Sequence, residues 1–345
     1  MTLDPARPPE RLSLDRAVER LLSPFALEEL SSLAGPAALV VDIATEAAIA
    51  DAGRLAVAGE RLPAIACPTI ALGVAAPGSH GATLRRRFDV AVDSEDELAP
   101  LLDAVSARPI AATALVQLLR HGEGLTVHEA LIAESLVYST LQAGPEMAAW
   151  LAGNPGKPAR KRNDEPAVLV ERRDARLDLV LNRPERRNAY SAEMRDALAQ
   201  GLALAVADPS IKEIVLTGRG PAFSAGGDLA EFGTLPDPAT AHLIRSTRNA
   251  GRLLAMCADR VRAELHGACV GAGIELPAFA KRVVAKPDAF FELPEVSMGL
   301  VPGAGGTASI PRRIGRQRTA YLALTGIRLD AHTALAWGLI DEIAG

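Results

Sequence analysis

Cysteine and aromatic residues are scarce in this chain. Only three cysteines, Cys67, Cys257 and Cys269, occur among its 345 residues, and aromatic residues make up 3%. Three scattered cysteines are too few for a disulfide framework or a zinc-binding motif. We therefore expect free buried thiols, a reducing cytoplasmic location and a core built mainly from Ala, Val, Leu and Ile.

Long hydrophobic runs are also missing. The longest uncharged stretch, Leu62 to Ser79, is interrupted by Pro63, Pro68, Gly73 and Pro77, which excludes a membrane span. The first residues, MTLDPARPPE, lack the basic region and apolar run of a secretory signal. We expect no association with a membrane.

An excess of positive charge is absent as well. The chain has 37 basic and 42 acidic residues, a net charge of −5, and this balance provides no basic surface for nucleic acid. Hydrophobic residues make up 49% and charged residues 23%, as in an ordinary globular protein. The length is enough for two domains.

A boundary is visible at GNPGKPARKRNDEP, where proline, glycine and charge replace the apolar periodicity. We predict four parts: a small α/β unit at 1–93, a helical segment at 94–153, a linker at 154–166 and a core at 167–345. The Ser-x-x-Glu spacing at Ser94 predicts a capping box. In the first unit, strands are predicted at 38–43, 69–73 and 88–92, with a helix at 47–57.

Strand and helix patterns alternate in the second half, which favours helices packed on a mostly parallel sheet. The predicted strands are 177–181, 214–217 and 261–265, and the predicted helices are 126–150 before the linker and 191–207 and 239–257 after it.

Three glycine-rich turns follow predicted strands: AFSAGGDL at 222–229, HGACVGAGIE at 266–275 and PGAGGT at 302–307. Small residues at a helix start leave backbone N–H groups free for an oxyanion. Glu275 lies just inside the helix that follows the second glycine-rich turn, where its negative charge could equally stabilise the helix dipole. Glu295 lies before the third turn, where it could equally be a solvated loop charge.

These residues resemble the enoyl-CoA hydratase/isomerase (crotonase) family from about Arg176 to Ile343. The resemblance is carried by NRPERRNAYS, AFSAGGDL, HGACVGAGIEL, FELPEVSMGLVPGAGGT and AWGLIDEI, which occur in this order. It implies an α/β fold with a β-β-α spiral core of the ClpP/crotonase type, preceded here by an N-terminal α/β and helical extension.

The resemblance also implies catalytic groups. The oxyanion hole falls on the N–H groups of Gly227 and Ala272, and the two acids around the reactive water fall on Glu275 and Glu295. Hydration needs one group that removes a proton from water and a second group that gives a proton to C2, whereas double-bond isomerisation needs only one base to move a proton. Two acids favour an enoyl-CoA hydratase, a hydro-lyase that adds water reversibly to a 2-enoyl-CoA. Isomerisation, other acyl-CoA chemistry and a non-catalytic CoA-binding scaffold remain alternatives.

Further expectations concern the substrate. The acyl-CoA thioester is expected to contact residues in the family's binding turns: Arg186, Arg187, Ser224, Ala225, Gly226, Asp228, Gly271 and Gly303. Asp228 can also cap the segment that follows it. Many relatives carry a basic residue where this chain has Ala230, so the phosphate contacts depart from the family pattern. No metal and no cofactor is expected, because coenzyme A is part of the substrate.

The helical segment raises a question of topology. Family members usually continue past GLIDEI with helices that close the acyl pocket and build a homotrimer or a dimer of trimers. The segment 94–153 is similar to that family C-terminus. One hypothesis is that its helices have been moved ahead of the core, where they line the acyl end of the pocket. An unrelated helical appendage is the alternative. The low aromatic content favours an aliphatic pocket.

Overall fold

The computed structural model describes residues 7–44, 52–154, 164–234 and 237–345. The chain divides into two compact units. The first lies within the residues up to Glu123 and adds Arg316–Thr325, and the second comprises Gly124–Gly315 and Gly326–Gly345. The predicted helical segment 94–153 is therefore shared between the units, and residues 155–163 of the predicted linker lie outside the described residues.

The first unit contains a four-stranded parallel sheet in the order β1-β2-β3-β4. Its strands are Glu10–Ser13 (β1), Leu39–Asp42 (β2), Thr69–Leu72 (β3) and Val90–Val92 (β4). The three strands predicted from buried apolar runs are confirmed. The edge strand β1 was not predicted, because its sequence ERLS is short and polar and its residues alternate between half-buried and exposed.

Helices surround this sheet. They are Leu14–Leu22 (α1), Ala26–Glu29 (α2), Ala52–Arg61 (α3), His80–Arg85 (α4), Glu95–Ala107 (α5) and Pro109–Gly122 (α6). The predicted start of α3 at residue 47 lies outside the described residues. The Ser94 hydroxyl accepts the N–H of Glu97, but the Glu97 carboxylate accepts the N–H of Asp93, so only half of the predicted capping box forms.

A buried carboxylate ties the first unit together. Asp89, directly before β4, accepts hydrogen bonds from the N–H and hydroxyl of Thr69 on β3, each 2.8 Å long. Arg120 of α6 and Arg316 pair with the same carboxylate at 2.5 and 3.1 Å. One side chain therefore holds two strands and two helices.

No single helix within the described ranges is both long and apolar enough to cross a membrane. The helices α5 and α6 reach the required length and composition only as a pair, and the pair is bent by 112°.

The second unit begins with two helices, Val127–Gln142 (α7) and Pro145–Gly153 (α8). Thr126 and Glu129 form a complete capping box at the start of α7. A single helix was predicted over 126–150. It is interrupted because Gly144 takes an extended conformation and Pro145 starts a new helix.

A six-stranded sheet follows, in the order β13-β10-β8-β7-β6-β5. Only β5 and β6 are antiparallel, and every other neighbouring pair is parallel. The strands are Val168–Arg173 (β5), Arg176–Leu181 (β6), Glu213–Gly218 (β7), Val261–Leu265 (β8), Arg282–Ala285 (β10) and Glu342–Ile343 (β13).

A second sheet of this unit has the order β12-β11-β9. Its strands are Ala268–Val270 (β9), Phe290–Glu292 (β11) and Leu329–Asp330 (β12). Because β9 and β11 are parallel neighbours, the segments that leave their carboxyl ends start side by side. One of these segments carries Glu275 and the other carries Glu295.

The remaining helices complete the chain. They are Ala192–Ala207 (α9), Pro238–Thr247 (α10), Ala250–Met256 (α11), Ala272–Glu275 (α12), Gly306–Ser309 (α13), Pro311–Ile314 (α14), Arg316–Thr325 (α15) and Ala331–Trp337 (α16). The single helix predicted at 239–257 is wrong. Asn249 adopts an extended backbone, and its side chain caps α11 by accepting the N–H of Arg252.

Candidate active site

A cavity of about 180 Å³ lies in the second unit. Six of the twelve predicted site residues line it: Gly227, Asp228, Ala272, Glu275, Glu295 and Gly303. They come from three segments of sequence that lie far apart, so the fold brings together the glycine-rich turns that the sequence analysis singled out.

Gly227 and Ala272 present backbone N–H groups at this cavity. Gly226 precedes the first with φ +87°, a conformation that favours glycine, and its backbone runs beside Val270 at the end of β9. Ala272 is the first residue of α12, where an N–H has no helical partner. No hydrogen bond from either N–H to another protein group occurs in the described part of the chain. Their convergence on one oxygen stays a prediction.

Glu275 is buried and held by the third glycine-rich turn. Its Oε2 accepts hydrogen bonds from the N–H groups of Ala304 and Gly306, both 2.8 Å long. Burial raises the pKa of this carboxyl to about 7, although the two N–H donors oppose the rise.

Glu295 is the first residue of a short 3₁₀ helix, Glu295–Met298, and is also buried. Its Oε2 has no hydrogen-bond partner within the described residues. Burial, followed by the charge of Glu275, raises its pKa well above the usual range. This carboxyl is therefore the more strongly biased of the two toward its protonated form.

Gly271 separates the two carboxyl groups. A Cβ atom added there would lie 2.5 Å from Glu295 Oε1 and 3.7 Å from Glu275 Oε1, so these oxygens are no farther apart than the sum of those distances. Gly271 also has φ +49°, in the left-handed region. Glycine at this position leaves the space between the two acids open.

A third buried carboxyl was missed by the sequence analysis. Glu134 of α7 accepts the N–H of Gly305 at 2.7 Å and the N–H and hydroxyl of Thr307 at 2.9 and 2.7 Å. Four successive N–H groups, 304 to 307, thus alternate between Glu275 and Glu134. Burial and then the charge of Glu275 raise the pKa of Glu134 to about 8. Nothing in the local sequence of α7 indicates this contact.

Helix α7 also contributes Tyr138 and Gln142 to the cavity wall. The Tyr138 ring lies against Gly303, where an added Cβ would be 2.4 Å from two ring atoms. Part of the segment 94–153 therefore lines this cavity, and that it lines the acyl end of the pocket stays a prediction. Whether it replaces the family's C-terminal helices stays a prediction.

The remaining predicted CoA-binding residues are not among those that line the cavity. Arg186 is paired with Asp228 at 2.8 Å, and Arg187 is exposed. The Ser224 hydroxyl donates to the Asn188 carbonyl, so it stabilises the turn that carries Gly227. Ala225, Gly226 and Gly271 belong to the backbone around the cavity. A role in CoA binding stays a prediction for all six. Asp228 also caps the short helix that follows it, by accepting the N–H of Ala230.

The cavity wall is mostly apolar, but the larger aliphatic side chains are missing from its described lining. Within the described residues it contains no Leu, Ile, Val or Met, and its rings are those of Tyr138, Tyr190 and Phe232. The expectation of an aliphatic pocket is therefore wrong for this cavity. Three arginines that the sequence analysis did not single out also line it: Arg195, Arg245 and Arg248.

Comparison with known proteins decides the family. The family described as enoyl-CoA hydratase/isomerase matches residues 172–345, half of the chain. The chain belongs to the enoyl-CoA hydratase/isomerase (crotonase) family. Its fold is accordingly α/β with a crotonase core.

Individual relatives agree with this assignment. The chain is 36% identical over 176 residues to the 2,3-dehydroadipyl-CoA hydratase of Escherichia coli, covering 51% of this chain and 68% of that protein. It is 34% identical over 175 residues to an enoyl-CoA isomerase/hydratase of Mycosarcoma maydis, covering 48% and 64%. The chain thus spans about two thirds of the length of these curated relatives.

Among solved structures, an enoyl-CoA hydratase from Thermoplasma volcanium is 38% identical, with a TM-score of 0.48, and the match covers 52% of this chain and 72% of that one.

Proposed function

We propose that this protein is an enoyl-CoA hydratase that adds water reversibly to a 2-enoyl-CoA and forms a 3-hydroxyacyl-CoA. The observation that supports this proposal best is the pair of buried carboxyl groups, Glu275 and Glu295, that line one cavity on either side of Gly271. The family membership supports acyl-CoA chemistry, and the pair favours hydration within it.

The surroundings of the two acids suggest different roles. Glu275 receives two backbone N–H donors, which stabilise a carboxylate, so it is suited to be the general base. Glu295 has an oxygen without a hydrogen-bond partner in the described residues, which favours the protonated acid. Two like charges this close cannot both form cheaply, so the pair should share one charge at neutral pH.

The reaction then balances without an external reagent. Glu275 takes a proton from water as the water oxygen bonds to C3, and Glu295 gives a proton to C2. The charge that develops on the thioester oxygen is stabilised by the N–H groups of Gly227 and Ala272, each worth about 10² to 10³ in rate. A proton returns from Glu275 to Glu295 before the next turnover. No cofactor is needed beyond the coenzyme A of the substrate.

Replacement of each acid by glutamine tests this proposal. Glu275→Gln and Glu295→Gln should each lower kcat on crotonyl-CoA by about 10² or more, because each removes a positioned proton carrier. Loss of the enoyl-thioester absorbance measures the rate, and titration with butyryl-CoA should show nearly unchanged binding. Arg173→Gln, on the exposed edge strand β5, is a control for the loss of one surface charge.

Two outcomes would change the assignment. Full hydratase activity in Glu295→Gln, with activity lost in Glu275→Gln, would favour a one-acid reaction such as double-bond isomerisation. Unchanged turnover of every enoyl-CoA in both variants would leave a CoA-binding scaffold as the better description.

A further inference from the structure

We propose that Arg245 binds a carboxylate at the far end of the acyl group, so that the substrates are short 2-enoyl-CoA thioesters with a terminal carboxylate. This inference rests on the proposed function, because it places the enoyl thioester in the same cavity. It assigns the acyl class, which the two acids and the oxyanion donors do not define.

The first argument is that the three arginines that line the cavity differ in their ion pairs. Arg195 and Arg248 share the carboxylate of Asp196, at 2.8 and 2.5 Å. Arg245 has no carboxylate within ion-pair distance in the described part of the chain. A partly buried guanidinium without a counter-ion is costly unless a ligand supplies the opposite charge.

The second argument is that the guanidinium is held in place by neutral groups. Its nitrogens donate to the hydroxyls of Ser135 and Ser139, to the Ser135 carbonyl and, at 3.3 Å, to the side-chain oxygen of Gln142. Its Cζ lies 4.7 Å from the centre of the Tyr138 ring. These contacts fix the orientation of the guanidinium but leave it without an ion pair and with one Nη1 hydrogen unused in the described residues, since Glu134 acts on its charge only from beyond ion-pair distance. This arrangement suits an anionic oxygen.

The third argument is position. The Tyr138 ring contacts both the Arg245 guanidinium and Gly303, and the N–H groups of Ala304 and Gly306 hold Glu275. Arg245 and the turn that positions the base therefore share one neighbour, the Tyr138 ring. This favours an anion on the acyl group over a phosphate of coenzyme A, which is separated from the reacting carbons by the whole pantetheine arm.

The composition of the wall agrees with this class. Most of the cavity surface is apolar, but the described lining contains no Leu, Ile, Val or Met, and this suits a short acyl group better than a long alkyl chain. A short acyl group that ends in a carboxylate would instead use the polar groups already present.

Binding of unreactive analogues tests the inference independently of turnover. Wild-type protein should bind adipyl-CoA at least about tenfold more tightly than hexanoyl-CoA, since the two differ by one terminal carboxylate. Arg245→Gln should abolish this preference, and Arg245→Lys should retain part of it. Arg173→Gln, far from the cavity wall, should leave the preference unchanged. The preference is the informative readout, because a purely structural role of Arg245 would weaken both ligands alike.

Each other result overturns the inference. No preference in the wild type, or a preference that survives Arg245→Gln, would exclude a carboxylate contact. Equal weakening of adipyl-CoA, hexanoyl-CoA and free coenzyme A in Arg245→Gln would exclude the acyl carboxylate and leave a coenzyme A phosphate contact or a purely structural role. Turnover of 2-hexenoyl-CoA and of its carboxylated counterpart tests the hydratase proposal separately. Turnover without preferential binding of adipyl-CoA would refute only the proposed acyl class. Preferential binding without turnover would refute only the hydratase proposal.

Discussion

Glu134 is the residue whose replacement tests the architecture of the site most directly. Its carboxylate receives three hydrogen bonds, from two backbone N–H groups and one hydroxyl, in a fully buried position. Glu134→Ala leaves the N–H groups of Gly305 and Thr307 without acceptors, at about 1 to 3 kcal/mol each, while the hydroxyl can rotate to another partner. We therefore expect the free energy of unfolding to fall by about 3 kcal/mol or more.

Glutamine separates hydrogen bonding from charge. Glu134→Gln keeps one acceptor oxygen but turns its NH2 group toward the other backbone N–H, so it should cost about 1 to 3 kcal/mol, the usual range for one buried donor left unsatisfied. Glu129→Gln is the matched control, because it lies on the same helix α7 in an exposed capping box that accepts either residue. That control should change stability by less than about 0.5 kcal/mol.

The pH dependence adds a second readout. The pKa of Glu134 is raised in the folded state to about 8, so the folded protein binds more protons than the unfolded chain above the ordinary glutamate pKa. Its contribution to stability is therefore complete at low pH and is lost as the pH rises toward 8. Glu134→Gln should flatten this decline between roughly pH 5 and 8.

Tryptophan fluorescence during urea unfolding is the suitable assay. Both tryptophans, Trp150 and Trp337, lie in the second unit, so the signal reports on the unit that contains Glu134. A loss below about 1 kcal/mol in Glu134→Ala, or equal pH dependence in the wild type and Glu134→Gln, would refute the reasoning.

Three further predictions follow from other contacts. Gly271→Ala should lower hydratase kcat by about 10² or more, because the Cβ of the new alanine would lie 2.5 Å from Glu295 Oε1. An unaffected rate would show that the open space between the two acids is not needed. Asp89→Ala should destabilise the first unit by about 3 to 5 kcal/mol, because buried Arg120 loses its counter-ion and buried Arg316 keeps only Glu123. Hydrogen exchange of β3 and β4 measures this loss, and unchanged protection would contradict it. The hydratase rate should rise as the pH passes about 7, where Glu275 becomes a base, and Glu275→Gln should lose that rise.

Site residues could be predicted where the residues that define them are neighbours in the sequence. The turns that carry Gly227, Ala272 and Gly303 have short motifs, because a tight turn restricts the residues within it. Each turn follows a predicted strand, and ligand sites of α/β folds lie where strands lead into turns, so it could be expected that the turns meet at one cavity. By contrast, Glu134 has no local signature, since its partners lie about 170 positions away in the chain.

Helix boundaries were predicted less well than helix positions. The predicted helix at 239–257 is interrupted at Asn249 and the one at 126–150 at Gly144, although apolar periodicity continues across both breaks. Periodicity indicates which face is buried, whereas a break depends on the backbone angles of one or two residues. The cavity lining was also misjudged, because overall composition does not say which side chains face a particular space.

By itself, the sequence determined the crotonase core, the order of its glycine-rich turns and the two acids that the turns carry. These properties depend on residues that are neighbours in sequence, where glycine, proline and apolar spacing restrict the backbone directly. Tertiary structure alone decided that Glu134 shares a turn with Glu275, and that Arg245 lines the cavity without an ion pair to any described carboxylate. Such contacts arise when α7 packs against α10 and the third glycine-rich turn, and burial then sets the proton affinity of each group.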